Sequence, residues 1–275
     1  MTYDKKVTSG TTSQKQNNIV TQKISRPKEL FLLFWVDESG DSRRSIFEEA
    51  CLTRYFNILY SPEYKKETQI VYHLSINTFN QIKEILEIFI NKNGGITKAK
   101  VKEVSLFSHG GPIHGPTTSD SVNTPSVPKY PQQMDIIGGW DSIDFNWSNN
   151  AMFVMYGCRT SYASDDSGQG FASKLSLLDN FKDVNVWGQT ESTYPSYFPD
   201  IRTTSIMRSI NIGWSFSPTY MVASSEGQGW DALFPDDKNP LKSLPMQCYN
   251  NGKLILTCDQ SSFNDHRKNC LLYQT

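Results

Sequence analysis

The apolar run VKEVSLF leads into Ser108-His109-Gly110-Gly111, and the run AMFVMY leads into Gly157-Cys158-Arg159-Thr160. An imidazole beside a thiol is a recurrent route to a thiolate near neutral pH, and a thiolate attacks acyl carbon. Forty-eight residues separate this histidine from this cysteine. If both runs are strands of one parallel α/β sheet, their carboxyl ends open onto the same crevice, where such folds bind ligands. His109 is then the candidate base and Cys158 the candidate nucleophile. The backbone N–H groups of Gly110 and Cys158 are candidate donors to a tetrahedral oxyanion, and Gly110 and Gly111, without Cβ, admit a close approach.

The other reactive residues fit this chemistry less well. His114 lies in a Pro/Gly-rich stretch, a less fixed position than a strand end. His73 sits inside a β-like run, and His266 sits in the polar stretch Asn264-Asp265-His266-Arg267-Lys268. Cys51 falls at core spacing on a helical pattern and reads as buried filler. Asp37, Glu38 and Asp41 cluster after the first apolar run. Acidic groups at that edge could recognise a basic side chain, although a solvated loop is the plainer account.

The five cysteines, Cys51, Cys158, Cys248, Cys258 and Cys270, show no CxxC spacing, so neither a zinc site nor a redox dithiol is expected. The last three could include one disulfide, which the sequence alone leaves open. No GxSxG elbow, P-loop, HExxH or strand-following GxGxxG is present, which argues against serine hydrolases, nucleotide-binding folds and zincins. The reading calls for no cofactor and no metal.

The elements that must hold these residues follow from hydrophobic pattern. LFLLFWV (Leu30 to Val36) is a continuous apolar run and reads as a fully buried strand. Ser42 to Tyr60 and Ile76 to Ile90 carry apolar residues at helical spacing, the second stopped by Asn93-Gly94-Gly95. Gln69 to Leu74 and Val101 to Phe107 are β-rich, so the order is β-α-β-α-β and implies a parallel sheet with right-handed crossovers. Gly110 to Gln132 reads as a long proline-rich loop beside the site. Ala151 to Tyr156 is the strand that delivers Cys158. A helix over Phe171 to Leu178, with Ser167 as a cap, and a strand over Asp183 to Gln189 follow. Beyond Thr193 the pattern is weaker, with β-like runs only at Thr219 to Ala223 and Lys253 to Thr257.

At 275 residues, with 37% hydrophobic and 12% aromatic side chains, the chain can bury one large α/β domain without staples. Lys and Arg number 27 against 28 Asp and Glu, a net charge of −1, so no nucleic acid or anionic membrane is expected as a partner. Residues 1–29 are polar and lack the apolar segment of a secretory signal, and read as a flexible leader. The longest apolar run falls far short of the ~20 residues of a membrane-spanning helix. The chain is expected to be soluble, with any export by a route other than a classical signal peptide. Residues 30–275 are expected to form one catalytic domain, with a core over 30–190 and a C-terminal extension over 191–275.

With LFSHGG and FVMYGCRT in place at the ends of successive strands, the chain resembles the caspase-like cysteine peptidases. This clan includes caspases, legumains, gingipains, clostripain and self-cleaving domains of bacterial toxins. The resemblance covers roughly residues 30 to 190 and implies an α/β fold, a caspase-like three-layer sandwich with a mainly parallel central sheet. It implies His109 as general base or acid, Cys158 as nucleophile and Gly110 in the oxyanion hole. Thr190, Glu191 and Ser192 fall where family members line the pocket for the side chain before the cleaved bond, and Asp37 is kept as a further substrate-binding candidate. The pentapeptide around the catalytic cysteine of apoptotic caspases is absent. The Gly-Cys-Arg-Thr and VWGQT patterns are similar to C-terminal domains of bacterial polymorphic toxins and secreted effectors. The implied partners are a protein or peptide substrate and a cognate immunity or secretion-machinery protein. Two other readings use the same residues: a caspase-fold binding module that has lost catalysis, and a cysteine-based transferase or deamidase.

Overall fold

A computed structural model describes residues 26–37, 45–118, 134–163, 169–197, 201–202, 221–225 and 243–258. Most of the polar leader, together with Glu38, Asp41, Ser167, His266 and Cys270, lies outside the described residues. The apolar run LFLLFWV makes β1 (Lys28–Val36), buried on both faces from Leu30 to Val36, as an interior strand of a parallel sheet must be. Then come α1 (Ser45–Leu59), β2 (Gln69–Ile76), α2 (Gln81–Lys92) and β3 (Ala99–Phe107). A hairpin of β4 (His109–Gly111) and β5 (Gly115–Thr117) follows, then β6 (Trp147–Met155), α3 (Phe171–Leu175) and β7 (Asn185–Gln189). The remaining elements are β8 (Thr193–Tyr197), β9 (Ile201–Arg202), β10 (Met221–Ser225), β11 (Ser243–Leu244), β12 (Met246–Asn250) and β13 (Lys253–Cys258).

Seven strands form one central sheet in the order β13-β12-β7-β6-β3-β1-β2. β2, β1, β3, β6 and β7 are parallel, and β12 and β13 close that edge antiparallel. Period-two alternation along β1 sends Leu30, Leu32, Phe34 and Val36 into the layer that holds Ile82, Leu86 and Ile90 of α2 and Phe171 and Leu175 of α3. Phe31, Leu33 and Trp35 pack on the other face with Ala50, Cys51 and Ile58 of α1. The result is a three-layer α/β arrangement. β2 and β3 flank β1 on opposite sides, so crossovers of one hand put α1 and α2 on opposite faces. A second, four-stranded sheet runs β11-β10-β8-β9.

Several boundaries differ from the sequence expectation. Ile76 closes β2 opposite Val36, so α2 starts only at Gln81, whose side-chain oxygen accepts the N–H groups of Asn77 (2.7 Å) and Thr78 (3.1 Å). Its C-terminal stop is as expected. Gly94 and Gly95 have φ of 103° and 82°, and the Gly95 N–H returns to the Ile90 carbonyl at 2.9 Å. The stretch expected to be a loop from Gly110 opens instead as the β4–β5 hairpin. Gly115 there has φ of 70°, and a Cβ on it would lie 2.4 Å from the Phe171 ring, so the hairpin packs directly on α3. The strand expected from Ala151 begins at Trp147, and the helix expected to reach Leu178 ends at Leu175. β12 is an addition. Of the C-terminal cysteines, Cys258 is disulfide-bonded and Cys248 is a buried free thiol. Among the described residues no helix is long and apolar enough to cross a membrane.

One ion pair sits inside the α1 layer. Arg54 of α1 grips Glu103 of β3 with both carboxylate oxygens engaged, at 2.9 and 2.6 Å, and the two side chains are 1% and 0% exposed. Ser105 donates a further bond to Glu103 at 2.6 Å. Removing one partner strands a buried charge, whereas replacing both by apolar groups removes the desolvation cost with the pair. Glu103→Ala should therefore lower unfolding free energy by about 3–5 kcal/mol, and the double variant Arg54→Met/Glu103→Leu should recover most of it. Urea denaturation of the three proteins measures both.

Candidate active site

β3 and β6 are neighbours in the sheet, parallel, and in a register that pairs Leu106 with Met155. Carried three residues onward, that register sets His109 level with Cys158. The two chain segments then touch through backbone. A Cβ on Gly157 would lie 2.8 Å from the His109 carbonyl oxygen, and one on Gly110 would lie 2.9 Å from the Gly157 carbonyl carbon and 3.0 Å from the Cys158 nitrogen. Only glycine at both positions permits this approach. Beneath it, Phe107 and Tyr156 stack at 4.3 Å with their planes 8° apart.

His109 is exposed, and its ring meets Phe47 of α1 edge to face at 5.1 Å. Cys158 is half-buried. Among the described residues its sulfur is held by Thr193 at the start of β8: it accepts the Thr193 N–H at 3.3 Å, lies 3.4 Å from Thr193 Oγ1 and 3.9 Å from the Thr193 carbonyl oxygen. The turn after the cysteine is stapled to the end of β7. Thr160 donates to the Gly157 carbonyl at 3.2 Å and accepts the Gln189 N–H at 3.0 Å, and the Ser161 N–H donates to the Gln189 carbonyl at 2.9 Å.

Thr190, Glu191 and Ser192 do lie beside this turn, but two of them are already engaged. Thr190 donates to the Pro245 carbonyl at 2.7 Å. Glu191 accepts Arg159 Nε at 2.9 Å, while its carbonyl accepts the Arg159 N–H at 3.0 Å. Arg159 takes φ of 53° to make both contacts, and its guanidinium lies 5.6 Å from the Tyr162 ring centroid. Ser192 is half-buried. Asp37 follows β1 at the same sheet edge, one strand beyond His109, with its N–H on the Ile76 carbonyl at 2.8 Å.

The competing histidines and thiols fall elsewhere. His114 is exposed in the β4–β5 turn. His73 is an internal residue of β2, stacked 6.0 Å from Trp35, and burial pushes its pKa down to about 4. Cys51 is fully buried with its sulfur 3.5 Å from the Leu33 carbonyl oxygen, and burial raises both its thiol and that of Cys248. Among the described residues no group of three or more His, Cys, Asp or Glu is arranged to hold a metal ion. Thr193 and the Arg159–Glu191 pair are the contacts that sequence reading missed. No protein-family model matches the chain, and no curated protein sequence matches it.

Two outcomes follow from this geometry. Gly157→Ala inserts a methyl against the His109 carbonyl oxygen and should cost about 1–3 kcal/mol of stability, the usual effect of overpacking, in a chemical melt. His73 gives a pH signature. Its folded value of about 4 lies below the ordinary 6.5, so between those values the unfolded chain takes up a proton that the folded chain refuses. Stability is lost as pH falls through that window, and His73→Phe should flatten this part of the profile when melts at acidic and neutral pH are compared with wild type.

Proposed function

We propose that the chain is a cysteine endopeptidase of the caspase-like kind, with His109 as general base and acid and Cys158 as nucleophile. The observation that carries this reading is the backbone contact that sets Gly110 against Gly157 and Cys158, at the carboxyl ends of two adjacent parallel strands. That edge is where α/β sheets do their chemistry. Two further features support it: the neighbouring strands β3 and β6 are each followed two residues on by His-Gly and Gly-Cys, as in that clan, and among the described residues Cys158 is the partly accessible one of the free thiols.

The chemistry runs in two halves. His109 takes the thiol proton as sulfur attacks the substrate carbonyl carbon, and the oxyanion forms beside the N–H groups of Gly110 and Cys158. Collapse of that intermediate breaks the C–N bond, with the imidazolium proton passing to the leaving amine. Water, deprotonated by His109, then attacks the thioester and frees the carboxylate and the thiol. With its carboxylate held by Arg159, Glu191 is not left as an isolated anion for a basic substrate side chain.

Incubating a proteome with wild type and with Cys158→Ala, then sequencing new N-termini, tests the reading. Wild type should generate a recurrent set of cleavages that is absent with Cys158→Ala and reduced about a hundredfold or more with His109→Ala. Cleavage that persists in Cys158→Ala would refute it. Mass shifts without chain scission would move the assignment to acyl transfer or deamidation.

A further inference from the structure

We propose that Thr193 is the positioning residue of the Cys158 sulfur, holding the thiol at rest and stabilising the thiolate once it forms. This rests on the reading of Cys158 as nucleophile. Thr193 meets the sulfur with three of its own atoms, N, Oγ1 and the carbonyl oxygen, at 3.3, 3.4 and 3.9 Å. Its hydroxyl also donates to the Tyr156 carbonyl at 3.1 Å. One side chain therefore grips both the strand that delivers the nucleophile and the nucleophile itself.

The two protonation states of sulfur use this residue differently. While Cys158 is a thiol, the Thr193 hydroxyl proton is committed to Tyr156, and Oγ1 offers lone pairs to the S–H group. When the proton leaves for His109, the sulfur becomes an anion with the Thr193 N–H already aimed at it. The hydroxyl then has two acceptors, a neutral carbonyl and an anionic sulfur. A charge-assisted bond is about twice as strong as a neutral one, so rotation of Oγ1–H onto the thiolate is favoured. Thr193 thus supplies two donors to the anion and no charge. Titratable and charged groups on the described segments that flank Cys158 include His109 of β4, whose backbone meets Gly157, and the mutually paired Arg159 and Glu191. The carboxylate of that pair is closed by Arg159, so the hydroxyl contribution is separable from theirs by mutation.

The test is the alkylation rate of Cys158 by iodoacetamide in the full chain, read by mass spectrometry without any substrate. Thr193→Val keeps the shape and the N–H and removes the hydroxyl. At neutral pH it should slow alkylation about fivefold to tenfold, the weight of a charge-assisted over a neutral hydrogen bond. Thr193→Ser should restore the rate, and the deficit should close in strongly alkaline buffer, where thiols ionise without help. No slowing in Thr193→Val, equal slowing in Thr193→Ser, or a deficit that persists in alkali would each overturn the proposal. Cys51 and Cys248 report folding, because both stay protected while the core is intact. If they open in Thr193→Val, the comparison passes to Thr193→Ala, and opening there too would mark Thr193 as structural and end the proposal. The measurement needs no peptidase activity, so its result is independent of the proteome cleavage experiment.

Discussion

Everything at the site depends on two backbones being able to touch. β3 and β6 end side by side, and the chain leaving each strand runs into the other at Gly110 and Gly157, where a Cβ on either would fall within 3.0 Å of main-chain atoms. Glycine there is a steric requirement, independent of any need for unusual φ. The contact fixes the separation of the segments bearing the imidazole and the thiol, with the stacked Phe107 and Tyr156 rings as its floor and the Thr160 hydroxyl bonds holding the turn beyond it. Neither candidate residue could reach this position by local structure alone.

The layers around the sheet serve that contact. α2 and α3 cover one face through apolar packing, and α3 also abuts the hairpin that carries His109, through Gly115 and Phe171. α1 covers the other face and sends Phe47 against the imidazole. Its seat is marked by the bidentate Arg54–Glu103 pair, which an apolar interior tolerates only with both partners present and satisfied. The pair fixes where α1 lies on β3, and so where Phe47 meets His109.

Sequence pattern was a good guide wherever burial and residue type agree. The β1 run had no polar residue to place it at an edge, and the glycines after α2 could only end a helix. The histidine and cysteine positions were legible because each closes an apolar run. Reading failed where one pattern serves two structures. Ile76 and Phe79 are apolar whether a strand or a helix continues through them, so the α2 start was set too early. Pro112 and Pro116 pointed to a loop, yet a hairpin outside the main sheet accommodates Pro116 opposite Gly110. β12, with its mixed MQCYN sequence, carries no alternation strong enough to announce a strand. The hold of Thr193 on sulfur was illegible for a deeper reason: much of it runs through a backbone N–H, which every residue but proline owns. Glu191 looked available for a ligand because no pattern of letters shows that Arg159 already holds it.

The β3–β6 pairing also governs when the segments bearing His109 and Cys158 come together. Parallel pairing of strands so distant along the chain has to overcome loop-closure entropy before any contact rewards it, and such topologies fold slowly. On the growing polypeptide the histidine emerges well before the cysteine, and no short-range structure brings them together. The two chain segments become neighbours only in the act of completing the sheet. The nascent and partly folded chain therefore carries His109 and Cys158 apart, and the meeting of their segments appears together with the native state.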